Sequence, residues 1–215
     1  MKKVVCLGDS ITEGFGLAAE EAYPYLLQKH LGEEYEVINA GVTAHCVINE
    51  LNADGGVMGL PYVRTERYAQ GIAAAGDIYV VMLGTNDAQD GLWDDGNGKD
   101  PNSDMISMIH RFNFHYQSIL DDIRRVAPNA EIYMVYPVPV LNCIWPKHQQ
   151  KYLDIVLEHL KELAAANPTV HTIDMYGTFR AKGQEWLEQN YQEDRLHPGA
   201  EGAALIAKTV LEAIC

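Results

Sequence analysis

Four short segments of the chain carry the residue types that hydrolytic chemistry requires: Gly8-Asp9-Ser10-Ile11, Asn39-Ala40-Gly41, Gly84-Thr85-Asn86-Asp87 and Asp194-Arg195-Leu196-His197. A serine hydroxyl is a weak nucleophile until a base takes its proton, and the base needs an acid that fixes its tautomer. Ser10, His197 and Asp194 can fill these three roles. A tetrahedral intermediate also needs donors aimed at its oxyanion. The backbone N–H groups of Ser10 and Gly41 and the side-chain amide of Asn86 are the candidates. Asp9, His45, Trp93 and Trp145 are candidate pocket residues, Asp9 as a turn holder and the two indoles as platforms for a sugar or acyl group.

Each residue alone has a plain structural reading. A serine after a strand caps a helix, Asn86 and Asp87 make turns, Gly41 allows a tight turn, and His197-Pro198 opens a helix. The catalytic reading rests on their joint arrangement, so the elements that position them decide it. Residues 3–7, 35–39, 77–83, 130–136 and 170–174 are apolar runs that read as strands. Residues 22–31, 65–75, 104–126, 147–166 and 200–214 read as helices, and 52–62 as a Gly- and Pro-rich loop. This alternation predicts an α/β fold: a three-layer α/β/α sandwich around a flavodoxin-like, doubly wound parallel sheet of about five strands, with residues 1–215 as a single domain. In such sheets the functional site lies at the carboxyl ends of the strands, where the four segments fall.

Composition narrows the function classes. The formal net charge is −14 and 47% of residues are hydrophobic, which supports a full core and opposes binding to nucleic acid or an anionic membrane. Cys6, Cys46, Cys143 and Cys215 are widely spaced, arguing against a zinc site or a disulfide scaffold. The Asp94–Ser103 stretch (DDGNGKDPNS) is rich in turn formers, but Lys99 and Asp100 stand where a calcium loop of the EF-hand type needs a ligand and a glycine. No histidine pair has H-E-x-x-H spacing. We therefore expect no metal and no organic cofactor. No leader and no membrane-length apolar run is visible, so the sequence reads as cytoplasmic.

The four segments together resemble the SGNH, or GDSL-type, hydrolase superfamily. Gly8-Asp9-Ser10-Ile11 is similar to its GDS(L) block, Gly41 to its second-block glycine, Gly84-Thr85-Asn86-Asp87 to its G-x-N-D block, and Asp194 to His197 to its D-x-x-H block. The resemblance covers nearly the whole chain. It implies Ser10, Gly41, Asn86 and His197 as the name-giving residues, with Asp194 as partner of His197. The stretch Val42-Thr43-Ala44-His45 departs from the Ser-Gly pair common at that point. Gly59-Leu60-Pro61-Tyr62 and Val81 to Asp87 look most like carbohydrate O-acetylesterases, sialate-like ones included. The expected function is cleavage of short-chain acetyl esters, with an acetylated sugar as the small-molecule partner and a homo-oligomer left open. A lysophospholipase or acyl thioesterase is the alternative within the fold. Thr12 stands where the G-x-S-x-G elbow of α/β-hydrolases needs glycine, and Asp9 and Glu13 oppose a phosphate cradle for a nucleotide or flavin. A non-catalytic sugar-binding module is the remaining alternative, and it would not need a complete triad.

Overall fold

The central strands are buried on both faces, so their sequences run apolar without a break. Val4, Val5, Cys6 and Leu7 of β1 (Lys2–Gly8) are all fully buried. So are Tyr79, Val80 and Val81 of β5 (Ile78–Met82). In the computed structural model, which describes residues 1–49, 60–89, 101–145 and 148–215, these strands lie at the centre of a five-stranded sheet. It is completed by β2 (Tyr35–Gly41), β6 (Glu131–Tyr136) and β7 (Val170–Asp174) in the order β2-β1-β5-β6-β7, with every pairing parallel. A separate pair, β3 (His45–Cys46) and β4 (Leu60–Pro61), is also parallel.

Strand periodicity distributes side chains between two cores. Val5, Leu7, Tyr79, Val81, Ile132 and Met134 face one side. They pack there on α3 (Glu66–Ala73), α4 (Pro101–Val126) and α5 (Gln150–Ala166). Val4, Cys6, Ile78, Val80, Met82, Tyr133 and Val135 face the other. That side is covered by α1 (Ser10–Glu13), α2 (Tyr23–Leu31), α6 (Met175–Arg180), α7 (Gln184–Asn190) and α8 (Ala200–Ile214). The result is the expected three-layer, doubly wound α/β architecture. The chain moves from β1 outward to β2, then back across β1 to β5. The topological switch therefore lies between β1 and β5, the place where such sheets open a crevice.

Several boundaries differ from the sequence reading. β2 runs on through Ala40 and Gly41, because Gly8 pairs with Gly41 in the ladder. α4 starts at Pro101, a residue suited to a first helical turn, so residues 101–103 belong to a helix rather than to the polar loop; residues 94–100 lie outside the described residues. α5 starts at Gln150 instead of at 147. α6 and α7 were not foreseen. Asp174 caps α6 by accepting the Gly177 N–H at 2.8 Å, and Gly183 separates the two helices at φ 86°. Both are too short to show a clear 3.6-residue period. Among the described residues no helix is long and apolar enough to cross a membrane.

Candidate active site

Ser10 stands at the first position of α1, directly beyond β1. Asp9 is the N-cap, and its Oδ1 accepts the Ile11 N–H at 3.0 Å. α1 lasts one turn and stops at Gly14, which takes the left-handed conformation at φ 92° and returns its N–H to the Ser10 carbonyl. This sharp strand-to-helix turn holds the Ser10 side chain at the rim while leaving the residue only 4% exposed.

His197 meets it from the far end of the chain. Its Nε2 lies 2.7 Å from Ser10 Oγ, and its Nδ1 lies 2.6 Å from Asp194 Oδ2. The other Asp194 oxygen accepts the backbone N–H groups of Leu196 and His197, each at 3.0 Å. With the carboxylate filled this way, Nδ1 carries the imidazole proton and Nε2 accepts from the serine hydroxyl. Burial raises the Asp194 carboxyl, but the bonds from the His197 amide and imidazole and from the Leu196 amide outweigh it. The net effect holds Asp194 below the usual carboxylate value. Arg195 takes φ 58° between them, which curls the loop so that Asp194 and His197 can face each other. Gln192 ties this loop to the serine turn: its Nε2 donates to the Phe15 carbonyl at 2.7 Å and to that of Pro198 at 3.1 Å. The Phe15 ring lies against the imidazole, with centroids 4.7 Å apart. Neither Phe15 nor Gln192 had a sequence signal to mark it.

The oxyanion side differs from expectation at one residue. Gly41 comes close to Ser10, but its N–H is already bonded to Asn39 Oδ1 at 2.9 Å. A side chain at Gly41 would collide with the Thr12 and Glu13 backbone, so the glycine serves close packing of β2 on α1. The Gly41 amide is thus engaged within its own strand end. The N–H groups of Ser10 and of the exposed Ala44, by contrast, have no hydrogen-bond partner among the described residues. Ala44 holds φ 64°, a left-handed conformation unusual for a residue with a side chain. It directly precedes His45, whose carbonyl accepts the Asn86 side-chain amide at 2.9 Å. One Asn86 amide hydrogen is thereby used and the second is left over.

Buried polar groups hold this loop in place. The Asp87 carboxylate accepts the Val47 N–H at 3.0 Å and the Ile48 N–H at 3.1 Å. Burial pushes the Asp87 carboxyl up to about 6 in spite of those bonds. Asp87, read from sequence as a turn former, is thus the anchor of the 45–48 segment. On the outer side, Glu13 Oε2 accepts from both the amide (2.7 Å) and the hydroxyl of Thr43, and Arg67 donates to the Gly41 carbonyl at 2.9 Å. Beneath them the fully buried Tyr62 hydroxyl donates to the Ala40 carbonyl at 2.7 Å and accepts the Gly8 N–H at 3.3 Å. Asp9 is buried as well. Its Oδ2 has no hydrogen-bond partner among the described residues, and burial pushes its carboxyl up to about 7.

The four remaining pocket candidates separate. Asp9 lies under the turn, not in a pocket. His45 is half-buried at the loop and directs Nδ1 at the Thr43 carbonyl, 2.7 Å away. Trp145 is exposed on the 139–145 loop, and Trp93 lies outside the described residues. The void between Ser10, Phe15, His197 and Ile206 measures about 10 Å³, the size of a single water site. No cluster of metal-ligating side chains occurs among the described residues.

A hydroxyl, an imidazole and a carboxylate in series fall inside one family profile that spans almost the entire chain. The profile of the GDSL-like lipase/acylhydrolase family matches residues 6–205. The chain belongs to that family. Among curated relatives, an acetylxylan esterase of Xylanibacter ruminicola is 26% identical over 220 residues, covering 99% of this chain and 43% of the relative. The chain thus spans less than half the length of that protein. Among solved structures, a lipase/acylhydrolase from Enterococcus faecalis superposes with a TM-score of 0.72 at 21% identity, covering 100% of this chain and 95% of the other. An acetyl xylan esterase superposes with a TM-score of 0.72 at 20% identity, covering 99% of this chain and 100% of the other. These structural likenesses establish a shared fold.

Proposed function

We propose that this GDSL-family chain is a serine esterase that removes acetyl groups from carbohydrate hydroxyls. The observation that carries the reading is the unbroken hydrogen-bond series from Ser10 Oγ through the His197 ring to Asp194, 2.7 Å and then 2.6 Å. In this reading Ser10 Oγ attacks the ester carbonyl as its proton passes to His197 Nε2. Asp194 stabilises the imidazolium and keeps its orientation. The oxyanion is held by the Ser10 N–H and the second Asn86 amide hydrogen, and the third donor is the free Ala44 N–H in place of Gly41. His197 then gives its proton to the departing alcohol, an acetyl-enzyme remains on Ser10, and a water deprotonated by His197 releases acetate.

The acetyl preference draws support from the two relatives named as acetylxylan esterases. The deciding experiment is hydrolysis of p-nitrophenyl acetate by the native protein and by Ser10→Ala, with circular dichroism to verify folding. The variant should lose turnover and keep its fold. Undiminished turnover would overturn the assignment of Ser10. Comparing acetyl with octanoyl esters tests the chain length, and a faster octanoyl reaction would favour the lysophospholipase or thioesterase alternative.

A further inference from the structure

A polar cleft follows the 139–145 loop, next to the loop that carries Arg195, and has no part in the chemistry described so far. Its floor is the 139–145 loop, which is fastened to the histidine loop by the Leu141 N–H on the Arg195 carbonyl (3.2 Å) and the Ile144 N–H on the Asp194 carbonyl (3.0 Å). Two cavities of about 500 and 220 Å³ share a wall of Val140, Leu141, Asn142 and Gln150. The larger lies within the usual size range of ligand pockets. It reaches His148 at one end, and the smaller reaches Arg180, Glu188 and Arg195 at the other.

The two ends have distinct chemistry. His148 is pinned next to the Asn86 turn by a bridge with Gln89 and by the Gln149 N–H on the Ala88 carbonyl at 3.4 Å. Both its ring nitrogens are buried without a hydrogen-bond partner among the described residues. Burial, with a smaller contribution from the proximity of His197, pushes its pKa down to about 4, so the ring is neutral. The ring itself closes this end of the larger cavity, and the cavity wall beside it is polar, with Asn142, Gln149, Gln150 and Lys151. At the other end, neither Arg180 nor Arg195 has a carboxylate partner among the described residues. Arg180 donates only to the Tyr176 hydroxyl (3.3 Å), while Glu188 accepts from Gln184 at 2.8 Å. The lining of this end carries two guanidinium groups and one carboxylate, in a chain of net charge −14. Guanidinium forks are suited to carboxylates.

Position assigns the cleft to one half of the ester. His197 must protonate the leaving alcohol, so the space next to the histidine loop and His148 is on the alcohol side. Building on the esterase reading, we propose that the cleft seats the alcohol portion of the substrate and that this alcohol is a carbohydrate chain bearing a carboxylate. Sugar hydroxyls occupy the His148 end and the carboxylate lies between Arg180 and Arg195. The enzyme would then act on acetyl esters of acidic oligosaccharides in preference to neutral ones.

The test is calorimetric titration of the native protein with xylotetraose and with the same tetrasaccharide carrying a glucuronic acid branch. The acidic ligand should bind about tenfold tighter, as expected for a charge-assisted carboxylate contact, and the advantage should shrink as salt is added. Arg180→Gln combined with Arg195→Gln, both at exposed positions, should erase the difference. His148→Ala should weaken both ligands, with thermal melts verifying that it folds. Equal affinities, no binding of either sugar, or a preference that survives loss of both arginines would overturn the proposal. These readouts need no bond cleavage. A protein that cleaves p-nitrophenyl acetate yet fails the titration refutes the cleft alone. One that passes the titration yet cleaves no acetyl ester refutes the esterase reading alone.

Discussion

Ser10 Oγ and His197 Nε2 lie 2.7 Å apart although 187 residues separate them along the chain. Their meeting depends on the parallel sheet, which brings β1 to the centre, and on the Gln192 side chain, which bonds the histidine loop to the turn after Ser10. The same loop holds Asp194 against the ring with three donors on one carboxylate.

That arrangement predicts the outcome of Asp194→Asn. An amide oxygen could still accept from the Leu196 and His197 amides, so the loop should keep its shape. The amide nitrogen would face Nδ1 and favour the tautomer with its proton on Nε2, where the base must be empty. We expect kcat on p-nitrophenyl acetate to fall by about 10⁴-fold with little change in KM, as for the equivalent change in other triads. Steady-state kinetics check it. A loss smaller than about tenfold would mean that Asp194 does not orient the base.

Ala44 predicts a gain in stability. A left-handed conformation costs a residue with a Cβ roughly 1 kcal/mol, and glycine avoids that cost. Ala44 holds φ 64° and is exposed, so little packing is lost on removing its methyl group. Ala44→Gly should therefore stabilise the fold by up to about 1 kcal/mol and retain esterase activity, because the N–H remains. Urea titration and kinetics test both parts. A destabilised variant would mean that the loop needs the stiffness of alanine.

Tyr62 shows why part of this site could not be read from sequence. The strand ends carrying Ser10 and Asn86 follow unbroken apolar runs closed by glycine, a pattern that marks buried parallel strands directly. Tyr62 and Asp87 act on backbone groups 22 to 54 residues away, and His148 lies in a cavity wall. Such contacts leave no periodic trace. Gly41 carries an ambiguous signal for a related reason. Glycine signals either backbone freedom or close approach, and here it is close approach to α1, while the left-handed residue is the alanine three positions on.

The Tyr62 hydroxyl gives a direct test of that hidden layer. Tyr62→Phe keeps the buried ring and its edge-on contact with Tyr68, at 5.3 Å between centroids, but removes the donor to Ala40. A buried carbonyl left without its partner costs about 1–3 kcal/mol. We expect a loss of that size in urea unfolding. Undiminished stability would mean that water replaces the hydroxyl.

Asp9 predicts an unusual pH response. Its carboxyl is buried, and its pKa is raised from an ordinary 3.8 to about 7. Between those values the unfolded chain has lost the Asp9 proton while the folded chain keeps it, so the folded state binds more protons. Stability contributed by this group is therefore full below about pH 4 and declines as pH rises towards 7. Asp9→Asn cannot ionise, and its side-chain oxygen can still cap Ile11. The melting temperature of the variant should accordingly rise relative to the native protein as pH goes from 4 to 7 and then level off. At about 1.4 kcal/mol per pKa unit, the limiting gain is roughly 4 kcal/mol. Asp87, raised to about 6, has the same sign but is present in both proteins, so its contribution largely cancels in the difference. Thermal melts at several pH values decide the matter: parallel curves would mean that Asp9 is ionised in the folded protein at neutral pH, with a donor supplied to its second oxygen.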